Sequence, residues 1–113
     1  MAVATVGVLG TQIKPAATTV TSLYVCPATR RARIRILYAN QNATTADEIS
    51  VWISENSAVA ADAQKVLHLE SVAANTSGQT VTFLVSDLDT IRVESQNGDV
   101  SFTCNGYEDD KPT

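Results

Sequence analysis

Side chains able to carry chemistry are few and far apart in this 113-residue chain. The single histidine, His68, lies in Val66-Leu67-His68-Leu69-Glu70. No motif brings a nucleophile or carboxylate to it, as acid–base or covalent catalysis would need. Its alternation with Leu67 and Leu69 instead suits the polar face of a strand. Cys26 and Cys104 belong to no C-x-x-C pair, so zinc and dithiol redox readings fail. Cys104 continues the apolar series Val100, Phe102, where a thiol behaves as a small buried hydrophobe, and two free buried cysteines are expected. Asp87-Leu88-Asp89 sets two carboxylates at a turn. Calcium favours oxygen-rich loops, but the fuller run of ligands is missing, and aspartates also shape turns unaided. No catalytic, cofactor or metal site is expected, and the chain is read as not an enzyme.

Two features point to binding. Arg30, Arg31, Arg33 and Arg35 supply half of the 8 basic residues. They are either a solvated strand face paired with Glu48 or Glu94, or a contact for an acidic neighbouring subunit, since guanidinium forks hold carboxylates well. Trp52 is either an interface anchor, a sugar platform together with Tyr38, or a ring covered by the Ser57-to-Gln64 segment that follows; covering is the expectation. With 12 acidic residues and a formal charge of −4, the chain lacks the basic excess that displaces counterions from nucleic acid. No apolar run is long enough to span a bilayer, and MAVATVGVLG has no charged region before its apolar residues. A cytoplasmic product is therefore expected. The Asn42-Ala43-Thr44 and Asn75-Thr76-Ser77 sequons carry no weight without a secretory signal.

The elements that must position these residues read as strands. In Arg31-Ala32-Arg33-Ile34-Arg35-Ile36-Leu37-Tyr38 the arginines fall on one face and Ala32, Ile34, Ile36 and Tyr38 on the other, which only a period of two achieves. Ile49-Val51-Ile53, Ile91-Val93 and Val100-Phe102-Cys104 alternate in the same way. Val81-Phe83-Val85, with Leu84 between, is apolar enough to be covered on both faces. Thr18–Cys26 and Lys65–Glu70 complete about seven strands. Pro27-Ala28-Thr29-Arg30, Ser86-Asp87-Leu88-Asp89 and Asn97-Gly98-Asp99 supply turns, the last a strong hairpin signal. Residues 40–45 and 71–78 read as polar loops, and Ser57 to Gln64 as a loop with one turn of helix.

The spacing, without any βαβ rhythm, predicts an all-β protein: a single antiparallel β-sandwich or jelly-roll-like domain over 18–107. An extended N-terminal arm (1–17) and a charged, exposed C-terminal tail (108–113) flank it. The arm alternates poorly and is expected to lie along a neighbouring subunit. With the arginine face it yields a candidate interface of Val6, Val8, Leu9, Arg31, Arg33, Arg35 and Trp52.

Ser22-Leu23-Tyr24-Val25-Cys26-Pro27-Ala28, the arginine strand, and Ala39-Asn40-Gln41-Asn42 together resemble a pattern in small tailed-phage virion proteins. There, a Leu-Tyr-x-x-Pro-Ala strand end leads into a basic β-branched strand and an Asn-rich loop. Residues 86–93 and 100–108 resemble its second half, so the likeness runs from Thr18 to Asp110. Thr29-Arg30 stands where Gly-Lys often follows Pro-Ala. The resemblance implies a capsid decoration (cement) protein, with a tail, neck or fibre component as the alternative; a carbohydrate-binding module using Trp52 and Tyr38 is the alternative of another class. The expected partners are further copies of the chain, in a symmetric homo-oligomer such as a trimer, and a major capsid protein or another virion protein. Nucleic acid and membrane are not expected partners, and the location would be the virion after synthesis in the host cytoplasm. No functional residue is carried over.

Overall fold

A computed structural model describes residues 5–55 and 61–111. Nine strands run through them: β1 (Thr5–Ile13), β2 (Thr21–Val25), β3 (Arg30–Asn40), β4 (Asp47–Ser54), β5 (Lys65–Val72), β6 (Ser77–Gln79), β7 (Phe83–Ser86), β8 (Thr90–Ser95) and β9 (Val100–Asp110). Between β4 and β5 one turn of 3-10 helix spans Asp62–Gln64; the rest of the expected helical loop, 57–60, lies outside the described residues.

The strands pair as nested hairpins: β4 with β5, β3 with β6 and β7, β2 with β8, and β1 with β9, all antiparallel. Two further pairings, β3 with β9 and β4 with β8, roll this long hairpin into two sheets. One sheet has the order β1-β9-β3, with β6 and β7 sharing the far edge of β3; the other has the order β2-β8-β4-β5. With β6 and β7 counted as one interrupted strand, this is the strand order of an eight-stranded jelly roll. The interruption leaves no backbone group of Ile36 stranded: the Ile36 amide donates to Thr80 Oγ1 (3.0 Å), and its carbonyl accepts from the Thr80 amide (2.9 Å).

Alternation selects the core. Ala32, Ile34 and Ile36 on β3, Phe102 and Cys104 on β9, Ile49 and Val51 on β4, and Ile91 and Val93 on β8 point between the sheets and are buried. Burial of this kind contributes about 1.5–3 kcal/mol for each large aliphatic or aromatic side chain. Cys26 and Cys104 are both free and buried.

The segment expected as an arm is a strand over Thr5–Ile13, with residues 1–4 outside the described range. It pairs with β9 from Thr5↔Glu108 to Val8↔Asn105, then shifts register before Gln12↔Thr103. At the shift β1 crosses toward the second sheet: a Cβ on Gly10 would lie 2.5 Å from the Leu23 carbonyl oxygen, so only glycine allows the approach. The C-terminal tail differs too. β9 continues through Asp110, because β3 is long enough to pair with it to the end (Arg30↔Asp110).

Gly106 marks the tightest contact in the first sheet. It pairs with Ile34 and Gly7 on either side, and a Cβ there would lie 2.0 Å from the Arg33 carbonyl oxygen. Gly106→Ala should therefore destabilise the fold by about 2–3 kcal/mol, measured as a lowered midpoint in urea unfolding with an unchanged slope.

Candidate interaction face

The outer face of the first sheet is built by the arginine strand. Because Ala32, Ile34 and Ile36 turn inward, Arg31, Arg33 and Arg35 must turn out, and all three are exposed. The β3–β9 register sets Asp109, Tyr107 and Asn105 directly beside them. Arg31 Nε donates to Asp109 Oδ1 at 2.9 Å, and Arg35 Nε donates to Asn105 Oδ1 at 3.2 Å. The hydrogen bond between Arg31 and Asp109 raises the guanidinium pKa and lowers that of the carboxyl. Arg33 has no ion pair among the described residues; its register neighbours are Tyr107 on β9 and Leu84 on β7.

Tyr107 in turn faces Val6 on β1. A row Val6–Tyr107–Arg33–Leu84 therefore crosses four strands, with Val6 77%, Tyr107 39% and Leu84 73% exposed. Val8, 54% exposed, extends the apolar surface along β1. A shallow depression of about 290 Å³ beside Arg33 is floored by Ala32 and Val85 and walled by Arg31, Leu84, Tyr107 and Asp109. Its chemistry is that of a contact surface, with apolar area around one uncommitted guanidinium.

The structure brings together only some of the sequence-derived candidates. Val6, Val8, Arg31, Arg33 and Arg35 share this face. Leu9 is buried (3% exposed). Trp52 lies on the other sheet, between Lys65 and Arg92 in register, and is only 5% exposed with the Lys65 ammonium 5.2 Å from its ring centroid. It is buried, with residues 57–60 of the segment expected to cover it outside the described range, and it offers no platform shared with Tyr38, which sits on β3. The arginine partners differ from those expected. Glu48 and Glu94 belong to the second sheet, whereas the β9 extension supplies Glu108, Asp109 and Asp110. Val81 and Leu84 were expected under cover, yet Val81, in the break between β6 and β7, is 75% exposed, and Leu84 stands in water on the outer face of β7. Tyr107 and Leu84 were missed as face residues; continuing the Val100-Phe102-Cys104 alternation would have marked Tyr107 as outward.

The remaining polar candidates serve the fold. His68 is exposed on β5, with Lys65 Nζ donating to its Nδ1 at 2.9 Å. Asp87 accepts from the Thr29 amide (2.7 Å) and from Lys111; Asp89 Oδ2 accepts from the Ser86 amide (3.0 Å). Both aspartates fasten turns.

Two polar clusters close the ends of the sandwich. At one end Tyr24 on β2 donates its hydroxyl to Glu108 on β9, and Arg30 on β3 holds Glu108 through its Nε (3.5 Å) and the Glu108 carbonyl through Nη2 (3.1 Å). Burial, reinforced by the Glu108 carboxylate, pushes the Tyr24 phenol far above its ordinary range. Burial likewise lifts the Cys104 thiol to about 12. At the other end Asp47, 1% exposed, accepts from the Ser95 hydroxyl and from the amides of Glu48 (2.7 Å), Asn97 (3.0 Å) and Asp99 (3.3 Å). Burial alone would raise the Asp47 carboxyl, but these four donors outweigh it and hold the pKa below the ordinary value.

No family model matches the chain, and no curated protein matches it. Among solved structures it is similar to a structure of infectious bursal disease virus, Gx strain (11% identity, 96% of this chain and 31% of that one, TM-score 0.44). It is also similar to the crystal structure of the T13 particle of that virus (8% identity, 96% and 30% of the respective chains, TM-score 0.46). The chain thus spans about a third of the length of those it matches. The jelly-roll assignment stands on the strand order and register above.

The end clusters set opposite pH limits. Asp47 has a folded pKa below its unfolded one, so its contribution is present above about pH 4 and fades as pH falls. Asp47→Ala should cost about 3 kcal/mol near neutrality, and the gap from wild type should narrow in acid, read by urea unfolding at both pH values. Tyr24 has a folded pKa above its unfolded one, so its contribution holds below about pH 10 and is lost as pH rises. In an alkaline titration its tyrosinate absorbance should develop only with unfolding, and Tyr24→Phe should remove that cooperative step.

Proposed function

We propose that this protein is a non-enzymatic virion structural protein, a capsid decoration (cement) protein that stabilises a tailed-phage head by burying surface against neighbouring subunits. The observation that carries the reading is the exposed row Val6–Tyr107–Arg33–Leu84 on the outer face of the first sheet. A face mixing large apolar side chains, a tyrosine and an unpaired arginine has the composition of an interface core. Arg33 supplies direction, since a planar guanidinium selects a carboxylate on the opposing surface. The resemblance of residues 18–110 to small phage virion proteins supports the same reading. So does the jelly roll, a fold that hosts capsid domains among other functions. A homo-oligomer on a major capsid protein fits a small domain that keeps so much apolar surface in water. A tail, neck or fibre location is the alternative within the same assembly.

Mass spectrometry of separated heads and tails from the parent particle tests the location. Hundreds of copies on the head support decoration, a few on the tail support the alternative, and absence from both overturns the virion reading. The face itself is tested by rebinding to heads stripped of the protein: Arg33→Glu combined with Leu84→Asp should lower occupancy about tenfold or more. Its melting temperature should stay close to that of wild type, because both side chains are exposed.

A further inference from the structure

The jelly roll has four lateral edges, and three are protected against pairing with another chain. β5 carries Lys65, His68 and Glu70, and its ladder with β4 is broken by register shifts near Leu69, which adopts φ 48. The edge shared by β6 and β7 is cut into strands of three and four residues. β2 is flanked by the second half of β1, where Thr11 Oγ1 donates to the Leu23 carbonyl (3.4 Å). Charges, bulges and short strands are the usual devices that keep sheet edges from adding strands.

The fourth edge is short too, since β1 shifts register after Val8 and Gly7 adopts φ 113, but up to that shift it is uncharged and uninterrupted. From Thr5 to Val8, β1 pairs among the described residues with β9 on one side only, in unbroken register. Alternate residues there must aim their N–H and C=O groups away from β9. The stretch Thr5-Val6-Gly7-Val8 contains no charge and no proline, nor do the four residues before it in the sequence. Val6 and Val8 stand on its outer face, 77% and 54% exposed.

We infer that this edge is a strand-addition seam for a second copy of the chain, whose own β1 pairs with it antiparallel about Gly7. Such a pairing is self-complementary: Val6 of one copy faces Val8 of the other, twice, and the two first sheets become one. A molecule of net charge −4 repels its own copies, and this edge lets them meet without opposing like charges. The outer-face neighbours of β1 here are Tyr107 and Asn105, both uncharged. The arginine rows lie on β3, two strands in, so across the seam they are about 24 Å apart at ~4.8 Å per strand, well beyond a Debye length of about 8 Å. The inference stands apart from the virion reading, since the seam needs only a second copy.

Sedimentation velocity of the full chain over a concentration series tests it, with amide hydrogen exchange as a second readout. The expected result is a concentration-dependent dimer whose dissociation constant rises about tenfold or more in Val8→Lys and stays unchanged in Val66→Lys on β5. In the wild-type protein, exchange within Thr5–Val8 should slow as concentration rises, a readout that needs no variant to fold. A monomer up to millimolar concentration overturns the inference. So does a trimer, a dimer that Val66→Lys but not Val8→Lys dissociates, or exchange at Thr5–Val8 that ignores concentration.

Discussion

The ladder between β3 and β9 runs through eleven register pairs without a break, from Arg30↔Asp110 to Asn40↔Val100. It joins residues about seventy positions apart in sequence, such as Arg35 and Asn105. Every other feature takes its place from this register. Its inward pairs set Ile36 beside Cys104 and Tyr38 beside Phe102; its outward pairs set Arg31 on Asp109 and Arg33 on Tyr107. A slip of one residue would turn the arginines into the core and the isoleucines into water. Two contacts forbid the slip. Only glycine fits where Gly106 passes the Arg33 carbonyl, and Glu108 must face inward to meet Tyr24. Closing so long a loop costs entropy, and the nested hairpins lower that cost by bringing β3 and β9 together stepwise.

The polar groups that join the two sheets gather at the ends of the sandwich, and there they are tied. Asp47 gathers the amides of the β8–β9 turn and the start of β4, so one carboxylate fixes two connections that cross between sheets. Asn40 does the same beside it, donating to the Thr45 and Val72 carbonyls (3.1 and 3.0 Å) and accepting from the Asn42 amide (2.9 Å). Tyr24, Glu108 and Arg30 join three strands of both sheets at the opposite end. Between these ties the core is apolar and needs no directional bonds. Register and end closure therefore come from polar contacts, and cohesion from burial.

Most strands were legible because alternation is a property of single strands. Sheet membership is not, which is why Glu48 and Glu94 looked like partners for the arginines although they lie on the other sheet. β6 was read as loop: Ser77-Gly78-Gln79 has no apolar residue, and its extended form follows from β3 alongside. β1 was read as an arm because Gly7, Gly10 and the register shift after Val8 blur the period of two. The charge of Glu108-Asp109-Asp110 suggested a solvated tail, yet two arginines on β3, Arg30 and Arg31, give those carboxylates partners. Alternation also reports which side chains share a face without saying what covers it, hence the misreading of Leu84, whereas Val81 falls in the break between β6 and β7.

The exposed face and the open edge belong to the same sheet, and that coincidence constrains how the molecule can assemble. A sheet extended through β1 keeps its outer face continuous, so Val6 serves both the seam and the row that crosses to Leu84. Extension through β5 would instead enlarge the second sheet, where Trp52 is already covered and Lys65 occupies its ring. Protection is thus distributed unevenly: charge and bulge guard the edge of β5 and interruption guards that of β6 and β7, while the Thr5–Val8 edge adjoins the face that carries Val6, Tyr107 and Leu84. An edge left open by accident would be an aggregation hazard anywhere on the molecule. Beside a ready-made interface, pairing there doubles the contact surface in a single step and leaves the arginine rows pointing the same way.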